Sequence, residues 1–316
     1  MDWETKRIKG RVPISARDPD LNDLFPGSST RGGRGIQVLD DKVVVASYHT
    51  LKVFDRELVH QYDISNGLMV GLHETCMDGS DNVWASCTNI DAVIQVNLNN
   101  GNILNQYWPA EMPEFQKYFD ISPMKVDRSV DNRLLFMDIS RYKQNRLHLN
   151  ALATWQGEMY GLLAKLGSVV NLDARKVVFE DPALRGGHNL IIQEDGTAVV
   201  NDTYGRAIRA YDMKTGSINR IIRLNNSARV RKIVRRYLFW ELFSRALYKT
   251  KMISRTPPRA LFLRGMSLMD NLLFVGVSPA TILCIDWHNG NLLDMYSYSK
   301  EIRVCVHGLK AVNGKY

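Results

Sequence analysis

One phrase recurs along the chain: a His or Arg, an apolar stretch, a polar turn, and another apolar run. It starts at Arg34 (RGIQVL), His73 (HETCMD), His148 (HLNALA), His188 (HNLIIQ), Arg264 (RGMSLM) and His307 (HGLKAV). The intervals are 39, 75, 40, 76 and 43 residues, a period near 40 with two intervals lengthened by insertions. Each unit has room for four short strands joined by tight turns. After His73 come VWASC, AVIQVNL and ILNQYW, separated by Asp78–Asn82 and Asn99–Asn102. After His188 come TAVVND, AIRAYDM and INRIIRL, and after Arg264 come LLFVGV, TILCIDW and LLDMYSY. The intervening Asn, Asp and Gly residues suit the left-handed backbone that tight antiparallel turns require.

This pattern predicts an all-β fold, a six-bladed β-propeller in a single domain over residues 1–316. Two insertions interrupt it, an irregular one at 109–146 and a basic, helical one at 225–262. Either insertion has room for an irregular blade, so seven blades is the alternative. The piece RLLFMDI within 109–146 has strand character. The last unit stops soon after its inner strand, so the ring is expected to close by borrowing the N-terminal segment KRIKGRVPI.

Composition narrows the class without changing the fold. With 45% hydrophobic and 23% charged residues, the chain can bury a sizeable core. The start MDWETKRIKGRVP lacks the apolar stretch of a secretory signal, and no run approaches the roughly 20 apolar residues of a membrane span. A cytoplasmic address is expected, with membrane association only through the basic insertion. Cys76, Cys87, Cys284 and Cys305 have neither CxxC spacing nor disulfide-scaffold density, which points to reduced thiols in strands.

If each phrase opens an innermost strand, four His and two Arg converge at the channel mouth. A lone His at the start of a strand is usually structural, but four of the seven His share one phase of the repeat, while His49, His60 and His288 do not. His73, His148, His188 and His307 are therefore the candidate catalytic residues. They are equally candidate ligands for a divalent transition metal such as Fe, Zn or Cu, since clustered neutral imidazoles suit those ions. Arg34 and Arg264 oppose a metal: a guanidinium about 5 Å from a dication costs roughly 6 to 7 kcal/mol at an effective dielectric near 20 unless an anion intervenes. An anionic small-molecule substrate bridging metal and Arg resolves that conflict. Without metal, the same ring supplies His acid–base groups and Arg anchors for a negatively charged intermediate. Glu74, Asn150 and Asn189 each follow a ring His by one or two places and are candidates for orienting imidazoles or binding substrate.

The phrases LHETCMDGSDNVWAS, RLHLNALATWQGEMY and LFLRGMSLMDNLLFVGVS resemble an uncharacterised family of bacterial propellers marked by an early His-Glu, a central His-Leu-Asn-Gly-Leu and a late Arg-Gly-Leu. His73-Glu74, His148 to Leu152 and Arg264-Gly265-Met266 stand in those places, with Ala151 and Met266 departing from the pattern. The likeness covers about two thirds of the chain. More loosely, the blades resemble those of streptogramin lyase, gluconolactonases and strictosidine-synthase-like proteins. That resemblance implies chemistry, often metal-assisted, at the channel mouth, while the family with the three signatures carries no agreed reaction.

Charge adds a second feature. Between Ser227 and Arg255 lie nine Lys or Arg and one acid, a balance of +8 that equals the excess of the whole chain. As a helix, Val230, Ile233, Val234, Tyr237 and Leu238 share a face, opposite Arg229, Arg231, Lys232, Arg235 and Arg236. Trp240 and Phe243 follow in a stretch that is apolar nearly all round. Three roles fit: packing on the propeller, contact with an anionic membrane surface, and docking of an acidic partner such as a carrier protein. Confinement of the charge to one insertion argues against nucleic acid. Two function classes follow. One is a small-molecule enzyme (lyase, cyclase, isomerase, hydrolase or oxidase) at a His/Arg ring. The other is a non-catalytic interaction propeller that docks through its basic helix.

Overall fold

The second strand of each unit is a run of small and branched apolar residues, such as Lys42–Ala46 (KVVVA) and Leu272–Val277 (LLFVGV), rather than a strict alternation. Such runs belong to strands covered on both faces. A computed structural model of the protein describes residues 1–15, 32–79, 81–135, 145–253 and 258–313. In it these strands are the buried layer, with Val44, Val83, Leu162, Val199 and Val275 all fully buried.

The described residues form five four-stranded antiparallel sheets, each built from consecutive strands. They are β1–β4 (Ile36–Val38, Lys42–Ala46, Leu51–Asp55, His60–Ile64), β5–β8 (Leu72–Asp78, Asn82–Cys87, Ala92–Asn97, Ile103–Tyr107) and β9–β12 (Leu149–Trp155, Glu158–Leu163, Ser168–Asn171, Lys176–Glu180). The remaining two are β13–β16 (His188–Ile192, Thr197–Asp202, Ala207–Asp212, Ile218–Arg223) and β17–β20 (Gly265–Met269, Leu272–Val277, Thr281–Asp286, Leu292–Ser297). The first strands β1, β5, β9, β13 and β17 touch in succession, as the blades of a propeller must.

The gap between β17 and β1 is filled by the C-terminal segment. The Gly265 N–H donates to the Val306 carbonyl at 3.1 Å, and the Ala311 N–H donates to Ser267 Oγ at 2.9 Å. Gly308 passes so close to the Arg34 carbonyl that a Cβ there would collide with it. A sixth four-stranded sheet is not formed among the described residues, because this segment makes seam contacts without a ladder. The N-terminal segment, expected to supply a closing strand, carries no strand in residues 1–15. It spans the seam through side chains instead: Trp3 meets Phe274 edge-on, Lys6 pairs with Asp294 at 2.7 Å, and Gly10 lies against Leu58.

The insertions differ in kind. The first contains the helix α1 (Pro113–Phe119), opened by Pro at its start, and the helical turn α2 (Asn132–Leu135). The piece RLLFMDI therefore begins as helix rather than strand, and its residues 136–139 lie outside the described residues. The second insertion contains the 22-residue helix α3 (Ala228–Lys249). Its inner face seats Val230, with Ile233 and Val234, against the core of the last two sheets. Glu241, 3% exposed, is held by Arg206 and Arg245. Leu238, expected on that packed face, is 44% exposed, because the inner stripe runs through Val230, Tyr237 and Glu241 instead. No described helix is long and apolar enough to cross a membrane.

Candidate functional site

His73, His148, His188, Arg264 and His307 come from five separate stretches of the ring, yet they line one cavity of about 190 Å³ together with Arg34 and Asn150. The geometry follows from the repeat. His188 opens β13, His73 is the second residue of β5, and His148 and Arg264 immediately precede β9 and β17. His148 and Asn189 take up positive φ, which turns the chain as each enters its inner strand.

Three of the four ring imidazoles form a tight cluster. The His73 and His307 ring centres are 4.6 Å apart, His73 and His188 5.2 Å, and His188 and His307 6.0 Å. One nitrogen from each lies within 4.8 Å of the others, and no other group of three metal-ligating residues is found among the described residues. His148 lines the same cavity outside this cluster, with Nδ1 2.7 Å from the Asn145 amide. His188 Nδ1 lies 3.0 Å from Thr203 Oγ1, which in turn donates to the Leu263 carbonyl.

Burial holds His73 well below the ordinary 6.5, helped by the neighbouring His307, His188, Arg34 and Arg264. Burial does the same to His188, with Arg264 and His148 adding to it. Both rings are therefore neutral near pH 7, the form that accepts a proton or ligates a metal. Arg34, 3% exposed, donates to the Leu72 carbonyl at 2.8 Å, and Arg264 stacks over Phe262. The buried Arg264 Nε has no hydrogen-bond partner among the described residues.

Glu74 and Asn189 are not among the residues that line this cavity. They form a separate chain in which Asn189 donates to Glu74 at 2.6 Å and accepts from Asn201 at 2.8 Å. Burial raises the Glu74 carboxyl to about 7. Asn150 donates to the Gly187 carbonyl at 2.9 Å, which ties β9 to the approach of β13. The candidate docking residues Arg231, Lys232, Arg235, Arg236, Trp240 and Phe243 lie on α3 and are not among the residues that line the cavity.

Thr88, Asn89, Tyr204 and Phe262 also line the cavity and were not anticipated. A second register of the repeat carries part of that signal. The residue following the second strand is a hydroxyl in four of the five sheets: Ser47, Thr88, Thr203 and Ser278. His49, which does not share the phase of the ring His, lies in such a turn and is buried, with Nδ1 2.9 Å from the Met69 carbonyl.

No family model matches the chain, and no curated protein does. Among solved structures, the chain is similar to a catalytically inactive histidine-to-alanine variant of virginiamycin B lyase from Staphylococcus aureus with quinupristin. Identity is 10%, 94% of this chain and 76% of that one are covered, and the TM-score is 0.52. The selenomethionine-substituted form of that lyase gives 11% identity over the same shares, with a TM-score of 0.51. A protein of unknown function from Bacteroides caccae gives 8% identity, 84% and 81% coverage, and a TM-score of 0.52. At these identities the likeness is one of fold, a propeller.

Proposed function

We propose that the chain is an enzyme acting on a small anionic substrate at the channel mouth. In this reading burial and the charge of Arg34 and Arg264 hold His73 and His188 unprotonated, and the bound anion offsets that charge. These neutral rings therefore accept a proton only with substrate in place, and the two arginines stabilise the negative charge that proton removal creates. The observation that carries it is the meeting of four imidazoles, three of them tightly clustered, and two guanidinium groups at one cavity of about 190 Å³. That volume suits a substrate portion of a few heavy atoms, such as a carboxylate and its neighbouring carbon. The reaction class that fits is removal of a proton beside a carboxylate or carbonyl, ending in elimination or isomerisation. The similar virginiamycin B lyase is a propeller enzyme that a histidine-to-alanine change inactivates, which agrees with His-led chemistry on this architecture.

A second reading is favoured by the 4.8 Å spacing of the three His nitrogens. Here His73, His188 and His307 hold Zn, Fe or Cu, and the arginines attract an anionic co-ligand that offsets their repulsion of the ion. Elemental analysis of protein purified without a His tag separates the two readings. A stoichiometric metal that disappears in a His73→Ala, His188→Ala variant establishes the metal centre, and metal-free protein with full turnover eliminates it. The anion site is tested apart from this, by titrating inorganic phosphate and malonate against the imidazole NMR signals in the presence of chelator. Arg264→Gln is expected to weaken binding at least about tenfold, the value of one charge-assisted hydrogen bond. Equal binding by that variant would locate the anion elsewhere.

A further inference from the structure

The outer face of α3 is divided along the helix axis. Facing away from the packed stripe, Arg231, Lys232, Arg235 and Arg236 are all exposed over its first half, and Leu238, Phe239, Trp240, Leu242 and Phe243 are exposed over the next turns. The aromatic exposures are large, 73% for Phe239, 63% for Trp240 and 48% for Phe243. Their rings form one cluster, with Phe239 and Phe243 stacked at 6.2 Å and Trp240 edge-on to both. The core does not compete for them. Val230, Ile233 and Val234 already anchor the helix on its other side, and the buried Glu241 is held there by Arg206 and Arg245. Met252, 72% exposed, together with Lys249 and Lys251, carries the same mixture past the helix end.

We infer that α3 is an interfacial anchor that seats this propeller on an anionic lipid surface. Charge complementarity selects the occupant. The helix carries seven Lys or Arg against one acid, a balance of +6 in a chain whose net charge is +8, and the exposed rings beside those cations are aromatic, the side chains that settle at the headgroup boundary. The rings stand on a helix ridge, a shape that enters a bilayer surface directly. Lysine and arginine steer the helix to the surface, and the aromatic cluster then inserts. This inference is independent of the chemistry assigned to the channel mouth.

Co-sedimentation with vesicles of phosphatidylglycerol and of phosphatidylcholine tests it. The full chain is expected to pellet with the anionic vesicles at low salt, to release as ionic strength rises, and to ignore the zwitterionic ones. Replacing Arg231, Lys232, Arg235 and Arg236 with Gln should weaken binding by two to three orders of magnitude, since each cation near such a surface contributes about fivefold. Arg231 also donates to the Asn225 and Asn226 carbonyls at 2.9 and 2.8 Å, so a variant that keeps Arg231 and changes only Lys232, Arg235 and Arg236 is the one expected to leave the thermal transition unchanged while still weakening binding. Trp240→Phe should retain sedimentation but lose a blue-shifted component of the vesicle-induced fluorescence change. Failure of the unmodified protein to bind anionic vesicles at low salt, or equal binding by the Gln variant, overturns the inference. Capture of an acidic protein in place of vesicles would assign the face to a protein partner and overturn it as well.

Discussion

With chelator present, the free energy of unfolding is expected to be nearly level around pH 7 and to fall by about 2 to 3 kcal/mol per pH unit between pH 6 and 5. The cause lies in the buried imidazoles. His73 and His188 are held well below 6.5, and burial brings His49 down to about 4. A depressed imidazole gives stability above its unfolded value of 6.5 that is lost as pH falls, because the unfolded chain takes up a proton the native fold refuses. Glu74 acts in the opposite sense. Its carboxyl is raised from 4.5 to about 7, so through that interval the native state binds the extra proton. Three imidazoles less Glu74 leave two protons, each equivalent to about 1.4 kcal/mol per pH unit, and the raised carboxyl of Asp91 lessens the slope toward the acid end of the interval. Denaturant titrations at pH 7, 6 and 5 measure the slope. Glu74→Gln should steepen it toward three protons, and His49→Gln should reduce it by one. A stability unchanged from pH 7 to 5 would mean that these rings are accessible to solvent.

The second large effect is expected at Asp91, a fully buried carboxylate outside the cavity. It stands in left-handed backbone at φ 50° and accepts the N–H groups of Arg146, Leu147 at 2.9 Å and His148 at 2.8 Å. Burial pushes its carboxyl up despite those three donors. Asp91→Ala would strand the donors in the interior and lower stability by about 3 to 5 kcal/mol, and Asp91→Asn, which keeps one acceptor oxygen, should lose less. Denaturant unfolding gives the magnitude, and the His148 ring resonance reports whether the site moves with it. A loss under about 1 kcal/mol would show that water replaces the carboxylate.

Much of this arrangement was legible because a repeat writes the same structural demand several times. The ring His and Arg positions share one phase, and so do the four-strand units that follow each of them. Asp91 could not be found that way. It acts across the gap between two repeats, on backbone N–H groups 55 to 57 residues away, and backbone donors leave no trace in side-chain identity. The segregation of Glu74 and Asn189 from the imidazole cavity was hidden for another reason. Register shifts in both β5 and β13 just after the ring His change which way the next side chains point, and a strict period of two cannot register them. On α3, the apolar wheel positions told nothing about which were packed. A buried Glu paired with two Arg fixed that face, where hydropathy alone favours Leu238.

The seam between residues 304–311 and the start of β1 makes the site conditional on the whole chain being joined. His307 and Arg34 sit on the two lips of that seam and line the same cavity, and the close approach of Gly308 to the Arg34 carbonyl brings the lips together. An opening of this seam is therefore expected to part His307 from Arg34, two residues of the cavity lining, without breaking a strand pairing within the five sheets. A ligand spanning both lips would act as a clasp, and amide hydrogen exchange at Gly265, whose N–H bonds to Val306, would slow in proportion to its occupancy.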